Sequence, residues 1–242
     1  MIVIEDLHKS FGGNKVLRGL DLTINKGEAL TIIGRSGCGK SVLLKHIIGL
    51  LKPDQGTVTV EGYDINKIKE KDLYELRKKF GFLFQGAALF DSMTVGENIS
   101  LPLIEGNTKF TQTGIDKAVA EKLELVALPG IEKLKPAELS GGMRKRVGLA
   151  RALITNPEYI LYDEPTTGLD PIMSESIDNL IKDLSEKLKV TSIIVTHDMI
   201  SVNIVAERVA MAHEGKIYFT GTPQELMASE DEVIQDFIAR TK

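Results

Sequence analysis

The chain has 242 residues, enough for one large domain, or a domain with a subdomain, around a sizeable core, and too few for a tandem duplication. Its 30 basic and 34 acidic residues give a net charge of -4, without the basic excess of a nucleic-acid binder. A single cysteine excludes an intramolecular disulfide and points to a reducing compartment; acids at Glu5 and Asp6 and the lack of any apolar run of about 18 residues argue against a signal peptide or membrane span, so a soluble chain with no direct membrane insertion is expected.

Residues 2–7 and 16–24 alternate apolar and polar positions, through Leu20, Leu22 and Ile24 in the second run, as half-buried strands do, and Phe11-Gly12-Gly13 marks the turn between them. Residues 29–33 form a short apolar run suited to a buried strand, and residues 42–51 carry apolar positions at helical spacing. Between them stands Gly34-Arg35-Ser36-Gly37-Cys38-Gly39-Lys40-Ser41, which fits G-x-x-x-x-G-K-[ST] in the strand-to-helix context that confirms a phosphate loop. Glycines let the backbone approach phosphates closely, the N–H groups point at their oxygens, and the helix N-terminus adds partial positive charge. The stretch from Gly34 through Val42 therefore reads as an ATP triphosphate site, with Lys40 at the β- and γ-phosphates and Ser41 on Mg²⁺. Cys38, inside this loop, reads as a small packing residue rather than a redox centre.

Residues 57–60 alternate again after Pro53 ends the helix, so the first quarter predicts an antiparallel sheet beside the nucleotide strand. Residues 70–79 predict a charged helix, and Phe80-Gly81-Phe82-Leu83-Phe84 an apolar strand ending in the polar Gln85. Polar side chains at the ends of buried strands are where ligands are met in open α/β sheets. Between residues 86 and 155 the pattern turns helical, chiefly over 113–125 and 143–155, and predicts an inserted helical subdomain joined by the polar loop 106–113 and by Pro129-Gly130. Strands return at 159–162, 190–195 and 208–212, with a helix over 173–188, a hairpin turn over 213–216 and one amphipathic helix over 223–242. The expected class is α/β: a mostly parallel core sheet from 1–85 and 156–242 with an N-terminal antiparallel β subdomain, and helices over 86–155.

Tyr159-Ile160-Leu161-Tyr162-Asp163-Glu164 is an apolar strand that ends in two carboxylates. Beside a phosphate loop, Asp163 suits Mg²⁺ and Glu164 suits a general base that polarises the attacking water, a role worth about 10²–10⁴-fold. Leu139-Ser140-Gly141-Gly142-Met143 opens a helix, with Ser140 fitted to cap it and the glycines baring its N–H groups, a second anion site. One nucleotide does not need two helix N-termini at its γ-phosphate, so the surplus site hints at a second copy of the chain. Arg144, Lys145, Arg146 and Arg151 are consistent with an anionic partner or, as the simpler reading, with the charged face of a surface helix.

The phosphate loop with Lys40, Gln85, Leu139-Ser140-Gly141-Gly142-Met143, Asp163-Glu164, Gly168-Leu169-Asp170 and His197 stand in the order and spacing of ABC transporter ATPase subunits, which the chain resembles over nearly its whole length. The resemblance implies a P-loop NTPase of ABC type, packed head to tail with a second copy around two ATP molecules. Each ATP would lie between the phosphate loop of one copy and Ser140, Gly141 and Gly142 of the other. It further implies that Phe11 stacks on adenine, with simple packing as the other reading of that residue. Gln85 would sense Mg²⁺ and the attacking water, Asp170 would couple the two sites, and His197 would contact the γ-phosphate.

Among ABC proteins, a chromosome-structuring ATPase would insert a coiled coil or zinc modules between Lys40 and Ser140, yet 100 positions separate them without heptads or Cys pairs, and a ribosome-associated protein would carry two such domains. Phe84-Gln85-Gly86-Ala87-Ala88-Leu89-Phe90-Asp91-Ser92-Met93-Thr94-Val95, Met143-Arg144-Lys145-Arg146 and Thr167-Gly168-Leu169-Asp170-Pro171-Ile172-Met173-Ser174 are similar to the Mla-type lipid-transport ATPases associated with MCE proteins. That likeness implies a phospholipid cargo, an MlaE-like transmembrane permease with an MCE-type lipid-binding protein, no nucleic-acid partner, and a place on the cytoplasmic face of a bacterial inner membrane. Ala87, Leu89, Phe90 and Met93 suit either a surface for a permease helix or the core of the helical subdomain, and no long C-terminal arm is expected beyond Asp236.

Overall fold

The computed structural model describes residues 1–106 and 110–241, so part of the expected loop 106–113, and Lys242 of the expected last helix, lie outside the described residues. The chain runs β1 (Ile2–Phe11), β2 (Asn14–Ile24), β3 (Ala29–Ile33), α1 (Lys40–Ile47), β4 (Gln55–Val60), β5 (Tyr63–Asp64), α2 (Glu70–Arg77) and β6 (Phe80–Leu83). Helices α3 (Val95–Glu105), α4 (Gln112–Leu125) and α5 (Gly141–Leu153) follow, with a 3₁₀ turn at Pro136–Glu138. Then come β7 (Tyr159–Asp163), α6 (Pro171–Leu188), β8 (Thr191–Thr196), α7 (Met199–Val205), β9 (Arg208–His213), β10 (Lys216–Gly221), α8 (Pro223–Ala228) and α9 (Glu232–Arg240).

Two sheets result. The first is antiparallel, ordered β2-β1-β4-β5; the second, ordered β10-β9-β3-β8-β7-β6, is parallel except for β10. In β3, β7 and β8 every residue is buried, because both sheet faces are covered. Successive side chains feed opposite cores: Tyr159, Leu161, Ile193 and Val195 pack with the first sheet and α1, while Ile160, Tyr162 and Ile194 pack with α3, α5 and α6.

The structure refines several expectations. β1 extends to Phe11, so the turn shrinks to Gly12 and Gly13, whose φ values of 53° and 87° are those of a tight hairpin that glycine makes without strain. Helix α3 escaped the periodicity because Gly96, Asn98, Ser100 and Pro102 interrupt it; its start is fixed by a reciprocal cap in which Glu97 N donates to Thr94 Oγ1 and Thr94 N donates to Glu97 Oε2. The single terminal helix is instead two, because Asp231 Oδ1 accepts from Val233 N and Ile234 N and starts α9 anew. The charged-face reading of α5 is overturned at Lys145, which is 5% exposed and donates to Gln85 O; Arg146 and Arg151 are half-buried and donate to Val126 O and Ala88 O, while Arg144 stays exposed and donates to Leu139 O. Ala87 is core and Leu89 packs beside it, whereas Phe90 is exposed.

Candidate functional site

The candidate site lies at the carboxyl ends of β3, β8, β7 and β6, which stand in that order in the sheet. β3 delivers residues 34–39, a turn that ends at α1. Gly34 (φ 151°) and Gly39 (φ 100°) are required there by space as well as by φ: a Cβ on Gly34 would meet Ala212 O at 2.5 Å, and one on Gly39 would meet Leu17 Cδ2 at 2.8 Å. No side chain caps α1, so its first N–H groups stay open toward the loop. Lys40 Nζ, 5% exposed, donates to Gly34 O at 2.7 Å and Arg35 O at 3.2 Å, which folds the loop around the ammonium. Burial pushes the Cys38 thiol up, against the opposing pull of the nearby Lys40 ammonium.

β7 ends in Asp163, whose Oδ1 accepts from Ser41 Oγ at 2.6 Å. Glu164 follows with φ 50°, a left-handed conformation costly for a non-glycine, held by its N–H to Val195 O at 2.9 Å. Its carboxylate is enclosed: Oε2 meets His197 Nδ1 at 2.7 Å and accepts from Thr167 Oγ1 at 3.2 Å, while Oε1 is 3.8 Å from Lys40 Nζ. His197 follows β8 and is half exposed. Val16, Ser36, Gly37, Gly39, Lys40, Ser41, Val42, Gln85 and Glu164 line one cleft of about 350 Å³. The residues fit Mg-ATP: Ser41 and Asp163 offer adjacent hard oxygens, and the loop glycines and bare helix end offer N–H groups to phosphate.

Other predicted residues lie elsewhere. Phe11 is exposed at the tip of the β1–β2 hairpin, with Lys9 Nζ 5.6 Å from its ring centre, and does not line the cleft. Ser140 is exposed and caps α5 by accepting from Met143 N at 3.3 Å; Gly142 is buried under Met173, whose Cε lies 2.1 Å from where a Cβ would stand. Asp170 is exposed and caps α6 by accepting from Met173 N. None of Ser140, Gly141, Gly142 and Asp170 lines the cleft of the phosphate loop.

Sequence reading missed Val16, which a strand pattern gives no reason to single out, and Thr167, three residues past Glu164 in the turn that its positive φ creates. It also missed Lys145. The signal was present: Lys145, Leu149 and Ala152 follow the i, i+4, i+7 spacing of a buried stripe.

Comparison with known proteins agrees with this geometry. The ABC transporter family model matches residues 17–167. The chain is 43% identical over 237 residues to the probable ribonucleotide transport ATP-binding protein Mkl of Mycobacterium tuberculosis, covering 98% of this chain but 66% of that protein, so it spans just under two thirds of that relative's length. It is 40% identical over 238 residues to the intermembrane phospholipid transport system ATP-binding protein MlaF of Haemophilus influenzae, covering 98% of this chain and 90% of that one. The solved dimer of the ATP-binding cassette MJ0796 bound to ADP and Pi superposes with a TM-score of 0.83 at 34% identity, over 92% of this chain and 99% of that one. With a phosphate loop, an aspartate–glutamate pair and a histidine converging at the ends of the central strands, the chain belongs to the ABC transporter family, as one of its ATPase cassettes.

Proposed function

We propose that the chain hydrolyses Mg-ATP with Glu164 as general base and Lys40, Ser41 and Asp163 holding the phosphates and metal, and that this drives a separate membrane permease. The observation that carries the reading is the enclosed Glu164 carboxylate, within reach of both Lys40 and His197 and beside the Ser41–Asp163 pair. Ser41 and Asp163 would hold Mg²⁺, which would supply positive charge against the charge developing on the phosphates. Glu164 takes the proton of the attacking water, His197 orients its carboxylate, and Gln85 borders the same cleft. Because Ser140, Gly141, Gly142 and Asp170 are outside that cleft, a second copy of the chain packed head to tail supplies Ser140, Gly141 and Gly142 to the γ-phosphate and Asp170 couples the two sites, a reading supported by the dimeric state of the solved relative. Phe11 stacks on adenine from the hairpin tip.

Among the described residues no helix is long and apolar enough to cross a membrane, so the work is delivered to a partner. An open groove of about 630 Å³, lined by Tyr74, Phe82, Phe84, Phe90, Leu101 and Pro102, begins at β6, two residues before Gln85, and suits a permease helix. The cargo is phospholipid, moved by an MlaE-like permease with an MCE-type protein at the cytoplasmic face of a bacterial inner membrane; the 40% identity to MlaF supports this. The second reading, a nucleotide or other small cargo, is favoured by the 43% identity to Mkl. Purifying the chain with its membrane partner and identifying the bound small molecules by mass spectrometry decides between them. Co-purified phospholipid with an MCE-type protein supports the first reading, and a soluble binding protein loaded with nucleotide, sugar or amino acid overturns it.

A further inference from the structure

Helix α5 carries a lysine on its buried stripe. Lys145 Nζ donates to two main-chain oxygens from different parts of the site: Gln85 O, and Glu164 O at 3.3 Å. Among the described residues no carboxylate lies within ion-pair distance of it. Burial pushes its pKa down, and the nearby Glu164 and Asp163 carboxylates push it back up. A buried ammonium without a paired anion is costly, so its place must be fixed by what it holds. What it holds is strained. Glu164 has φ 50°, and Ala87 and Ala88, just past Gln85, have φ 60° and 48°. Such backbone persists only where its surroundings over-determine it. At Glu164 the constraints are Val195 on its N–H, His197 and Thr167 on its carboxylate, and Lys145 on its carbonyl.

We propose that Lys145 is a positioning residue that sets the reactive attitude of the Glu164 carboxylate, and the place of Gln85 beside it, by gripping both backbones from α5. The inference rests on Glu164 being the base. Because α5 is capped by Ser140, the helix that presents one anion site also holds the base of the other. Removing the ammonium loosens the Glu164 peptide without touching the loop that binds ATP.

The test is a double-mutant cycle on the full chain, with Lys145→Met, Glu164→Gln and both together, read by ATP hydrolysis and by nucleotide affinity. Lys145→Met is expected to lower kcat by about 10- to 100-fold, the scale of a reacting group displaced by ~1 Å, with KM within about twofold of the parent. In the Glu164→Gln background the same change should cost less than about threefold, since a residue acting through Glu164 has nothing left to position. Lys145→Gln, which keeps N–H donors without the charge, should recover most of the rate. Losses that multiply in the double variant, a defect confined to KM, or unchanged kcat in Lys145→Met overturns the proposal. If Lys145→Met does not fold, Lys145→Leu, which also lacks an N–H donor, takes its place in the cycle under the same criteria. Near-parental turnover in Glu164→Gln alone instead removes the base assignment, whatever Lys145 does.

Discussion

Glu164→Gln isolates proton abstraction from everything else the carboxylate does. The substitution keeps the side chain's size and leaves an amide oxygen where Oε2 accepts from Thr167 Oγ1 and meets His197, so the turn at φ 50° keeps its constraints. The Lys40 ammonium, 3.8 Å from Oε1, retains its two loop carbonyls, so the cradle for phosphate is undisturbed. Folding should change by under about 0.5 kcal/mol, which moves the thermal midpoint of a chain this size by no more than about 2 °C. The rate should fall by about 10²–10⁴-fold, or about 3–5 kcal/mol of barrier, because an amide cannot take the proton of the attacking water. Single-turnover hydrolysis of γ-labelled ATP gives that ratio, calorimetry gives an affinity near the parent's, and size exclusion with ATP should show a trapped nucleotide-bound dimer. Hydrolysis within about threefold of the parent, with the fold and affinity intact, would falsify the assignment of Glu164 as base.

The other expected outcomes concern the loop and the core. Lys40→Ala should weaken ATP binding itself, by about tenfold or more in calorimetry, because the phosphates lose their point charge; unchanged affinity contradicts the role given to Lys40. Gly34→Ala should lower stability by about 2–3 kcal/mol in thermal or denaturant unfolding, even without nucleotide, since its Cβ would press on the main-chain oxygen of Ala212. Asp178 is 1% exposed, and burial raises its pKa from 3.8 to about 7 despite the hydrogen bond from Ser201 Oγ. With the folded value above the unfolded one, its contribution is fullest below about pH 4 and is lost as pH rises toward 7. Asp178→Asn should therefore gain thermal midpoint relative to the parent between pH 5 and pH 8, and a difference that is flat with pH refutes the burial argument.

What could be read in advance and what could not divide along physical lines. The residues 34–41, Asp163, Glu164 and His197 were legible because each sits where a fully buried strand stops, and a polar group there has few roles but ligand binding. Helix α3 was not, since its apolar pattern is broken by Gly96, Asn98, Ser100 and Pro102 and only the Thr94–Glu97 cap marked it. The cations of α5 show the harder limit. The spacing of Lys145 with Leu149 and Ala152 marks its burial, but the partners of Lys145 and Arg151 are main-chain oxygens, which every residue has and no sequence pattern reveals. Arg151 donates to Ala87 O and to Ala88 O at 2.5 and 2.7 Å, and Lys145 holds Gln85 O, so three carbonyls within four residues are gripped from one helix. That segment leads to exposed Phe90 and the open groove in front of Phe84. A chain of hydrogen bonds from the groove to Gln85, and from Gln85 through Lys145 to Glu164, would carry movement of a docked partner to the carboxylate proposed as base. Its parts are backbone carbonyls fixed by buried Lys145 and half-buried Arg151 rather than side chains that touch one another.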